Sequence, residues 1–190
     1  NNILNHVKNN YLVWIDMEMT GLDPRTDKII EIATIITDNQ LNIVAEGPNL
    51  IIHQDEEILN NMDPWCIKQH GKSGLIDESL HSTITCEDAE KLTIQFLKTY
   101  IAPKSSPLCG NSVWQDRRFL MEYMKNLDEF LHYRIIDVST IKELYSRWRS
   151  QSIKFQKASE THRALADIKE SIEELKFYKQ YFFIDKQHDE

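Results

Sequence analysis

The segment Asp16-Met17-Glu18 contains the first residues that could do chemistry, two carboxylates two positions apart. Residues two apart on a strand point to the same face, so both side chains would aim at one region and repel each other. Alone, the pattern is equally typical of a half-exposed strand with its polar residues turned to water. The neighbouring segment 29–32, apolar apart from Glu31, indicates a sheet covered on both faces. There, two unpaired carboxylates would be costly unless a cation satisfied them.

Two further positions could contribute to the same chemistry. Asp116 follows a segment that reads as a strand end running into a helix, where ligands of open α/β sheets commonly bind. An acidic residue in the first turn of a helix is also favoured by the helix dipole alone. His162 and Asp167 lie five residues apart, which is not a same-face helical spacing, so with Asp167 in a helix we expect His162 on the entry loop.

A histidine on a mobile loop suits a general base, because imidazole takes up and releases a proton near neutral pH. A surface His beside a surface Asp is the alternative interpretation. Taken together, the carboxylates and the late histidine match the set required for two-metal phosphodiester hydrolysis. Such sites hold two divalent ions roughly 4 Å apart. Hard ions such as Mg²⁺ and Mn²⁺ prefer an all-oxygen cage of this kind.

The elements that would position these residues begin with three predicted strands. Apolar patterns at 12–17, 29–36 and 41–52 predict the strands, and Asp38-Asn39-Gln40 predicts a hairpin-type turn between the last two. The opening of the chain is therefore predicted to be antiparallel. Its first strand would present the two carboxylates of the Asp16 segment.

Helical spacing of apolar residues dominates the rest of the chain. The predicted elements are, in order, a helix at 89–100, a strand at 108–110, a helix at 119–131, a strand at 134–137 and a helix at 141–148. The last of these would open with a capping box at Thr140 and Glu143. A final long helix, with an apolar stripe from 165 to 175, would pack across the sheet. We therefore predict an α/β fold with a mixed five-stranded sheet, its first three strands antiparallel, flanked by helices.

Length and composition predict one globular domain over residues 1–190, with a core from about 10 to 183 and short flexible termini. The 41% of apolar residues excludes a disordered or fibrous chain. The longest strongly apolar stretch, 11–15, is too short for a membrane span, which requires roughly 20 residues. Three cysteines without a CxxC pair fit a reducing compartment, so we expect a cytoplasmic location. The most loop-like segment is 150–160.

The formal net charge of -8 disfavours a long nucleic acid as partner, because binders of long polymers gather Lys and Arg against phosphates. A short oligonucleotide offers few phosphates. Metal ions could also neutralise part of the carboxylate charge. Charge alone therefore does not exclude a short oligonucleotide.

Eight sequence blocks support a more specific interpretation. They are WIDMEMTGL at 14–22, MDPWC at 62–66, HGKSGL at 70–75, GNS at 110–112, QDRRFL at 115–120, HYR at 132–134, DVST at 137–140 and HRALxD at 162–167. In this order the blocks make the chain, from about residue 14 to residue 177, similar to the oligoribonuclease family of DEDDh-type 3'-to-5' exonucleases. That family belongs to the ribonuclease H-like superfamily. The resemblance implies degradation of very short oligoribonucleotides, especially dinucleotides, to mononucleotides.

The resemblance also implies roles for individual residues. The two divalent cations, Mg²⁺ or Mn²⁺, would be held by Asp16, Glu18, Asp116 and Asp167. His162 would deprotonate the attacking water. Residues expected at the substrate are Leu22 and Trp65 on the bases, His70 near a phosphate or sugar, and Ser112 and Gln115 near the 5' end. Base stacking supplies roughly 1 to 3 kcal/mol per base without reading sequence. Trp65 as a core aromatic and His70 as a structural residue are the alternatives.

A homodimer is implied by the resemblance as well, with Tyr133 and Arg134 of one subunit completing the neighbouring site. Two positions depart from the family pattern. Ala166 stands where a second Asp often precedes the position of Asp167, and Trp114 stands where relatives commonly carry a small or polar residue. Trp114 would either crowd or extend the nucleotide pocket. The alternative functions are a DEDDh proofreading or repair exonuclease acting on DNA 3' ends, and a catalytically silent nucleotide-binding module.

Overall fold

The sheet is built on a strand with no solvent-exposed face. The computed structural model describes residues 10–158 and 162–184, and β2 (Ile29–Thr37) is buried at every position. It pairs antiparallel with β1 (Leu12–Met19) on one side and with β3 (Ile43–Ile51) on the other. The predicted turn at 38–40 connects β2 and β3, and its Asp38 carbonyl accepts from the Leu41 amide. The predicted antiparallel opening of the chain is confirmed.

Two short parallel strands complete the sheet. β4 (Leu108–Gly110) pairs with β1, and β5 (Ile135–Asp137) pairs with β4, so the order is β3-β2-β1-β4-β5. The mixed five-stranded sheet is therefore confirmed. The carboxyl ends of β1 and β4 meet at the same edge, where ligands of α/β sheets commonly bind.

Eight helices occur in the part of the chain that the structure describes. In chain order they are α1 (Glu56–Asn60), α2 (Pro64–Lys72), α3 (Leu75–His81), α4 (Cys86–Tyr100), α5 (Val113–Tyr123), α6 (Lys125–Phe130), α7 (Val138–Trp148) and α8 (Ala164–Tyr181). Helices α4, α5 and α6 pack on one face of the sheet, and α7 and α8 pack on the other. Helices α1 to α3 cover Ile30 near one end of β2. The prediction of a sheet covered on both faces is confirmed.

Residues of β1 alternate between these two faces, as strand geometry requires. Val13, Ile15 and Met17 belong to the core under α4, α5 and α6, whereas Trp14 belongs to the core under α7 and α8. Positions 16 and 18 therefore face the side of the sheet that α8 covers.

Two predictions of local structure are wrong. The helix predicted over 119–131 is interrupted at Met124, whose φ of -135° and ψ of 59° are not helical, so α5 and α6 are separate. The capping box predicted at Thr140 does not form, because α7 begins at Val138 and the Asp137 carboxylate accepts from the Ser139 amide instead. Helices α1 to α3 were not predicted, because their short stretches show no sustained apolar period.

The remaining predictions on chain extent stay predictions. Residues 1–9 and 185–190, the ends of the predicted single domain, lie outside the described residues, as do residues 159–160 of the predicted loop. Within 10–158 and 162–184, no helix is long and apolar enough to cross a membrane.

Candidate active site

Strand β1 and helix α8 bring three carboxylates together. One oxygen from each of Asp16, Glu18 and Asp167 lies within 4.8 Å of the others. Asp16 and Glu18 share the face of β1 that α8 covers, and Asp167 lies in the first turn of α8. The alternation of the strand and the position of Asp167 at the helix start therefore place three of the four predicted ligands in one group.

Asp116, the fourth predicted ligand, lies beside this group but not within it. It is buried in the first turn of α5, and its Oδ1 accepts from the Met17 amide at 3.0 Å. This bond fixes the carboxylate against β1, between the positions of Asp16 and Glu18. Its charge is, after burial, the largest cause of the raised pKa of Asp16.

Burial raises the pKa of all four carboxyls, and the charges of neighbouring carboxylates add to the shift at Asp16, Glu18 and Asp116. Burial, and then the charge of Asp167, raise the pKa of Glu18 to about 9. Burial raises the pKa of Asp116 to about 8, although the hydrogen bond from Met17 opposes the shift. Burial also raises the pKa of Asp16 and of Asp167 above the usual range. Negative charge is therefore costly here in the absence of a cation.

The donor set fits a divalent cation. Among the described residues, Asp16 Oδ2 is buried and has no hydrogen-bond partner. A buried carboxylate oxygen without a donor is expensive, and a cation bound there would satisfy it. All the neighbouring ligand atoms are carboxylate oxygens, which suit hard ions such as Mg²⁺ and Mn²⁺. The group could therefore hold a metal ion.

His162 lies at the edge of the same group. It precedes α8 in a left-handed conformation with φ of 50°, as expected for an entry-loop residue. The rings of His162 and Trp65 form a T-shaped contact, with 5.7 Å between their centroids. His162, Asp16 and Asp167 line one cleft of about 380 Å³. An imidazole in this cleft is placed to exchange a proton with a molecule bound beside the carboxylates.

The cleft has further lining residues that were not predicted. They are Gln69, Asn111, Lys157, Glu170, Ser171 and Glu174. Three of them could have been found, because 170, 171 and 174 continue from Asp167 at helical spacing along one face of α8. Asn111 links β4 to that face, since its Nδ2 donates to Ser171 Oγ at 2.8 Å and to Glu174 Oε1 at 3.2 Å. Lys157 and Gln69 carry no signal in the sequence.

The predicted base-contacting residues are exposed, apolar side chains. Trp65 is 58% exposed and lines the cleft, so its interpretation as a core aromatic is wrong. Leu22 is 64% exposed and does not line the cleft.

His70 is buried, and its Nε2 lies 2.9 Å from the Met19 carbonyl, whereas its Nδ1 has no partner among the described residues. Burial lowers the pKa of His70.

Four other predicted substrate residues lie outside the cleft of this single chain. Ser112 precedes α5 with φ of 47° and donates its amide to Asp137 Oδ1 at 2.8 Å. Gln115 accepts from Arg118. Tyr133 is 76% exposed, and the guanidinium of Arg134 lies 5.6 Å from the centre of its ring. The structure therefore does not place these four residues in the lining of the cleft.

The two departures from the family pattern also have defined surroundings. Trp114 is half exposed, beneath the guanidinium of Arg118, and does not line the cleft. Residues two positions apart on a helix are separated by about 200° around its axis. Trp114 therefore points away from Asp116 and does not crowd it. Residue 166 is an alanine and has no carboxylate to offer, so Asp167 is the residue of this turn of α8 that belongs to the three-carboxylate group.

Comparison with known proteins defines the class. The chain belongs to the exonuclease family whose model, RNase_T, matches residues 13–175. Its relatives include proteins named oligoribonuclease. That of Acinetobacter baylyi is 55% identical over 91% of this chain and 94% of its own length. That of Haemophilus ducreyi is 52% identical over 94% of this chain and 98% of its own. The resemblance found in the sequence blocks is confirmed.

Solved structures show the same fold at low sequence identity. Exonuclease I from Methylocaldum szegediense matches with a TM-score of 0.66 and 17% identity over 91% of this chain. A zinc-bound complex of E. coli exonuclease I with single-stranded DNA matches with a TM-score of 0.67 and 16% identity over 90%. This chain spans 41% and 40% of their respective lengths. These matches confirm the predicted ribonuclease H-like fold.

Proposed function

We propose that the protein is a 3'-to-5' exoribonuclease that degrades very short oligoribonucleotides, especially dinucleotides, to mononucleotides. The observation that carries the proposal is the group formed by Asp16, Glu18 and Asp167, with an unsatisfied buried oxygen on Asp16, in a cleft that His162 and Trp65 also line. The relatives at 52% and 55% identity, named oligoribonuclease, support the choice of substrate.

Two divalent cations, Mg²⁺ or Mn²⁺, would be held by Asp16, Glu18 and Asp167 together with Asp116. When bound, these ions supply activation of water and stabilisation of the leaving oxygen. The raised pKa of each carboxyl supports this assignment, because burial, together with repulsion at Asp16, Glu18 and Asp116, opposes ionisation until a cation compensates it. The hydrogen bond from Met17 to Asp116 orients the fourth carboxylate before any cation binds.

His162 takes the proton from the attacking water in this proposal. Its ring lines the cleft beside Asp167, and its edge contact with Trp65 restricts its orientation. His70 is unsuited to the same role, because it is buried and bonded to the Met19 carbonyl. That bond instead holds the end of β1 on α2, close to the proposed metal-binding carboxylates.

The dimensions and charge of the cleft support a short substrate. Its volume of about 380 Å³ lies near the lower end of the roughly 300–1,000 Å³ that ligand pockets occupy. The exposed faces of Trp65 and Leu22 would stack on bases without selecting among them. The formal net charge of -8 disfavours a long strand, because binders of long polymers gather Lys and Arg against phosphates.

The proposal includes a homodimer. Tyr133 and Arg134 do not line the cleft of their own chain and lie on an exposed segment. They would reach the substrate of the neighbouring subunit, together with Ser112 and Gln115 at the 5' end. A site closed at both ends in this way would admit only very short strands. A single domain over residues 1–190 and a cytoplasmic location are parts of the same proposal.

A time course tests the function directly. Labelled diribonucleotide, a longer RNA and a DNA strand with a free 3' end are each incubated with Mg²⁺, with Mn²⁺ and with chelator, and Asp167→Asn protein serves as the matched inactive control. We expect fastest conversion of the diribonucleotide to mononucleotides, and only with metal. Preferred degradation of the DNA strand would instead support the repair exonuclease, and absence of turnover on every substrate would support the silent binding module.

A further inference from the structure

Glu31 is a fully buried carboxylate on β2 that the proposed chemistry does not use. It lies opposite Glu18 in the register of β1 and β2. Directly opposed residues of neighbouring strands share a face, so two like charges would meet there and destabilise the sheet. A buried carboxylate needs a cation and hydrogen-bond donors. Both come from the beginning of α8.

Arg163 supplies the cation. Its Nε and Nη2 lie 3.1 and 2.9 Å from Glu31 Oε2, and Nε also lies 3.3 Å from Oε1. The planar guanidinium is suited to holding a carboxylate in one orientation through such paired contacts. Its Nη1 points elsewhere, to Glu78 Oε2 at 2.8 Å and to the Ser73 carbonyl at 3.3 Å. Arg163 thus ties β2 to α3 and to the connection between α2 and α3.

The same carboxylate also holds the first turn of α8. Glu31 Oε1 accepts from the amide of Ala164, the first residue of the helix, at 2.8 Å. Amides of the first turn have no partner within a helix, and the side chain of Arg163, at the N-cap position, makes no capping bond. Glu31 therefore acts as the cap from a distant strand, and its charge suits the positive end of the helix. One turn later, the Asp167 amide donates to the Arg163 carbonyl at 3.0 Å.

We propose that the Glu31–Arg163 pair is the positioning element of the catalytic cleft. By fixing Arg163, the pair holds in place His162, which precedes Arg163 in the sequence, and Asp167, which follows it. His162 precedes Arg163 directly, in a left-handed conformation that non-glycine residues rarely adopt and that persists only where the surroundings enforce it. Asp167 follows through its hydrogen bond to the Arg163 carbonyl. The inference rests on the proposed function, because it explains why the general base His162 and the metal ligand Asp167 lie in the same cleft.

Three single variants test whether the Glu31–Arg163 pair positions His162 and Asp167 or only lies near them. Glu31→Gln keeps the shape of the side chain but removes its charge, and Arg163→Met removes the guanidinium. Glu78→Gln is the matched control, because it removes only the exposed arm of the network. The values of kcat and KM for diribonucleotide at saturating Mg²⁺ are measured with the melting temperature of each protein.

We expect Glu31→Gln and Arg163→Met to lower kcat by roughly ten- to hundred-fold, because displacing a reacting group by about 1 Å has an effect of that order. KM should change by less than about two-fold, since the base-stacking surface is untouched. Glu78→Gln should retain both constants. Folded variants at positions 31 and 163 with wild-type kcat, or with a defect in KM alone, would overturn the inference.

The double variant Glu31→Gln/Arg163→Met distinguishes positioning from general stability. It leaves no unpaired buried charge, so its melting temperature should recover relative to Arg163→Met. Its kcat should remain low, because nothing then fixes the start of α8. Recovery of kcat together with the melting temperature would refute a positioning role. Arg163→Lys, which keeps the charge but not the planar fork, replaces Arg163→Met if the latter does not fold, and a reduced kcat is again expected.

Amide hydrogen exchange gives a readout that does not depend on turnover. Exchange at Ala164 and Asp167 should accelerate in Glu31→Gln and Arg163→Met and remain unchanged in Glu78→Gln. Unchanged exchange in all variants would contradict the inference even in an active enzyme. A wild-type protein without diribonucleotide hydrolysis would refute the proposed function instead, and the exchange data would still decide whether the pair positions these residues.

Discussion

Replacing Glu18 by Gln should stabilise the protein when no metal is present. Burial and the neighbouring Asp167 raise the pKa of Glu18 to about 9, against 4.5 for an unperturbed glutamate. At pH 7 the folded protein therefore keeps this proton, whereas the unfolded chain has lost it. Gln cannot ionise in either state, and its amide can still donate to Asp167 as the protonated Glu18 carboxyl does.

The magnitude follows from linkage between protonation and folding. Ionisation favours the unfolded chain by about 1.4 kcal/mol for each pH unit above 4.5, so at pH 7 the free energy of unfolding is about 3 kcal/mol lower than with a neutral side chain. The stability that the protonated carboxyl permits is complete below pH 4.5 and declines as the pH rises toward 9. Because Gln cannot ionise, the Glu18→Gln variant lacks this part of the decline in the free energy of unfolding with rising pH.

Urea denaturation in the presence of chelator measures the effect. Free energies of unfolding are determined between about pH 5 and pH 8.5 for the wild type, for Glu18→Gln and for Glu122→Gln, an exposed position on α5 that controls for the substitution itself. The Glu18→Gln curve should lie above the wild-type curve and separate further from it as the pH rises. A variant that is less stable than the wild type at pH 8, or that shows the same slope with pH, would refute the proposed charge repulsion.

Four further predictions concern the proposed catalytic residues and the metal. Asp167→Asn should reduce turnover by orders of magnitude while leaving the metal-free melting temperature at or above the wild-type value; near-normal activity would contradict its role as a ligand. His162→Ala should lower kcat much more than it raises KM, so an effect on KM alone would argue against a general base. Tyr133→Ala should be inactive alone but regain part of its activity when mixed with Asp16→Asn protein, since one composite site would then be intact; no recovery would oppose a shared site. Mn²⁺ at about 100 times its Kd should stabilise the wild type by about 2.7 kcal/mol in thermal or urea unfolding, and an equal effect on Asp16→Asn protein would place the ion elsewhere.

Local patterns were sufficient to predict much of the fold. The alternation of a strand is a property of the backbone, so Asp16 and Glu18 could be assigned to one face before any contact was known. The spacing of His162 and Asp167 likewise predicted one residue before α8 and one within it. Helices α1 to α3 could not be predicted in this way, because they are short and are stabilised by packing around Ile30.

The sequence by itself determined the family, the mixed sheet, the candidate carboxylates and the histidine, because these depend on residue identity and on periods of two or 3.6 residues. Tertiary structure alone decided which groups meet. It grouped Asp16, Glu18 and Asp167 within 4.8 Å, tied Asp116 to the Met17 amide, and placed Arg163 on Glu31. These contacts join residues as many as 151 positions apart. Their geometry arises from strand register and helix packing, which no short-range pattern encodes.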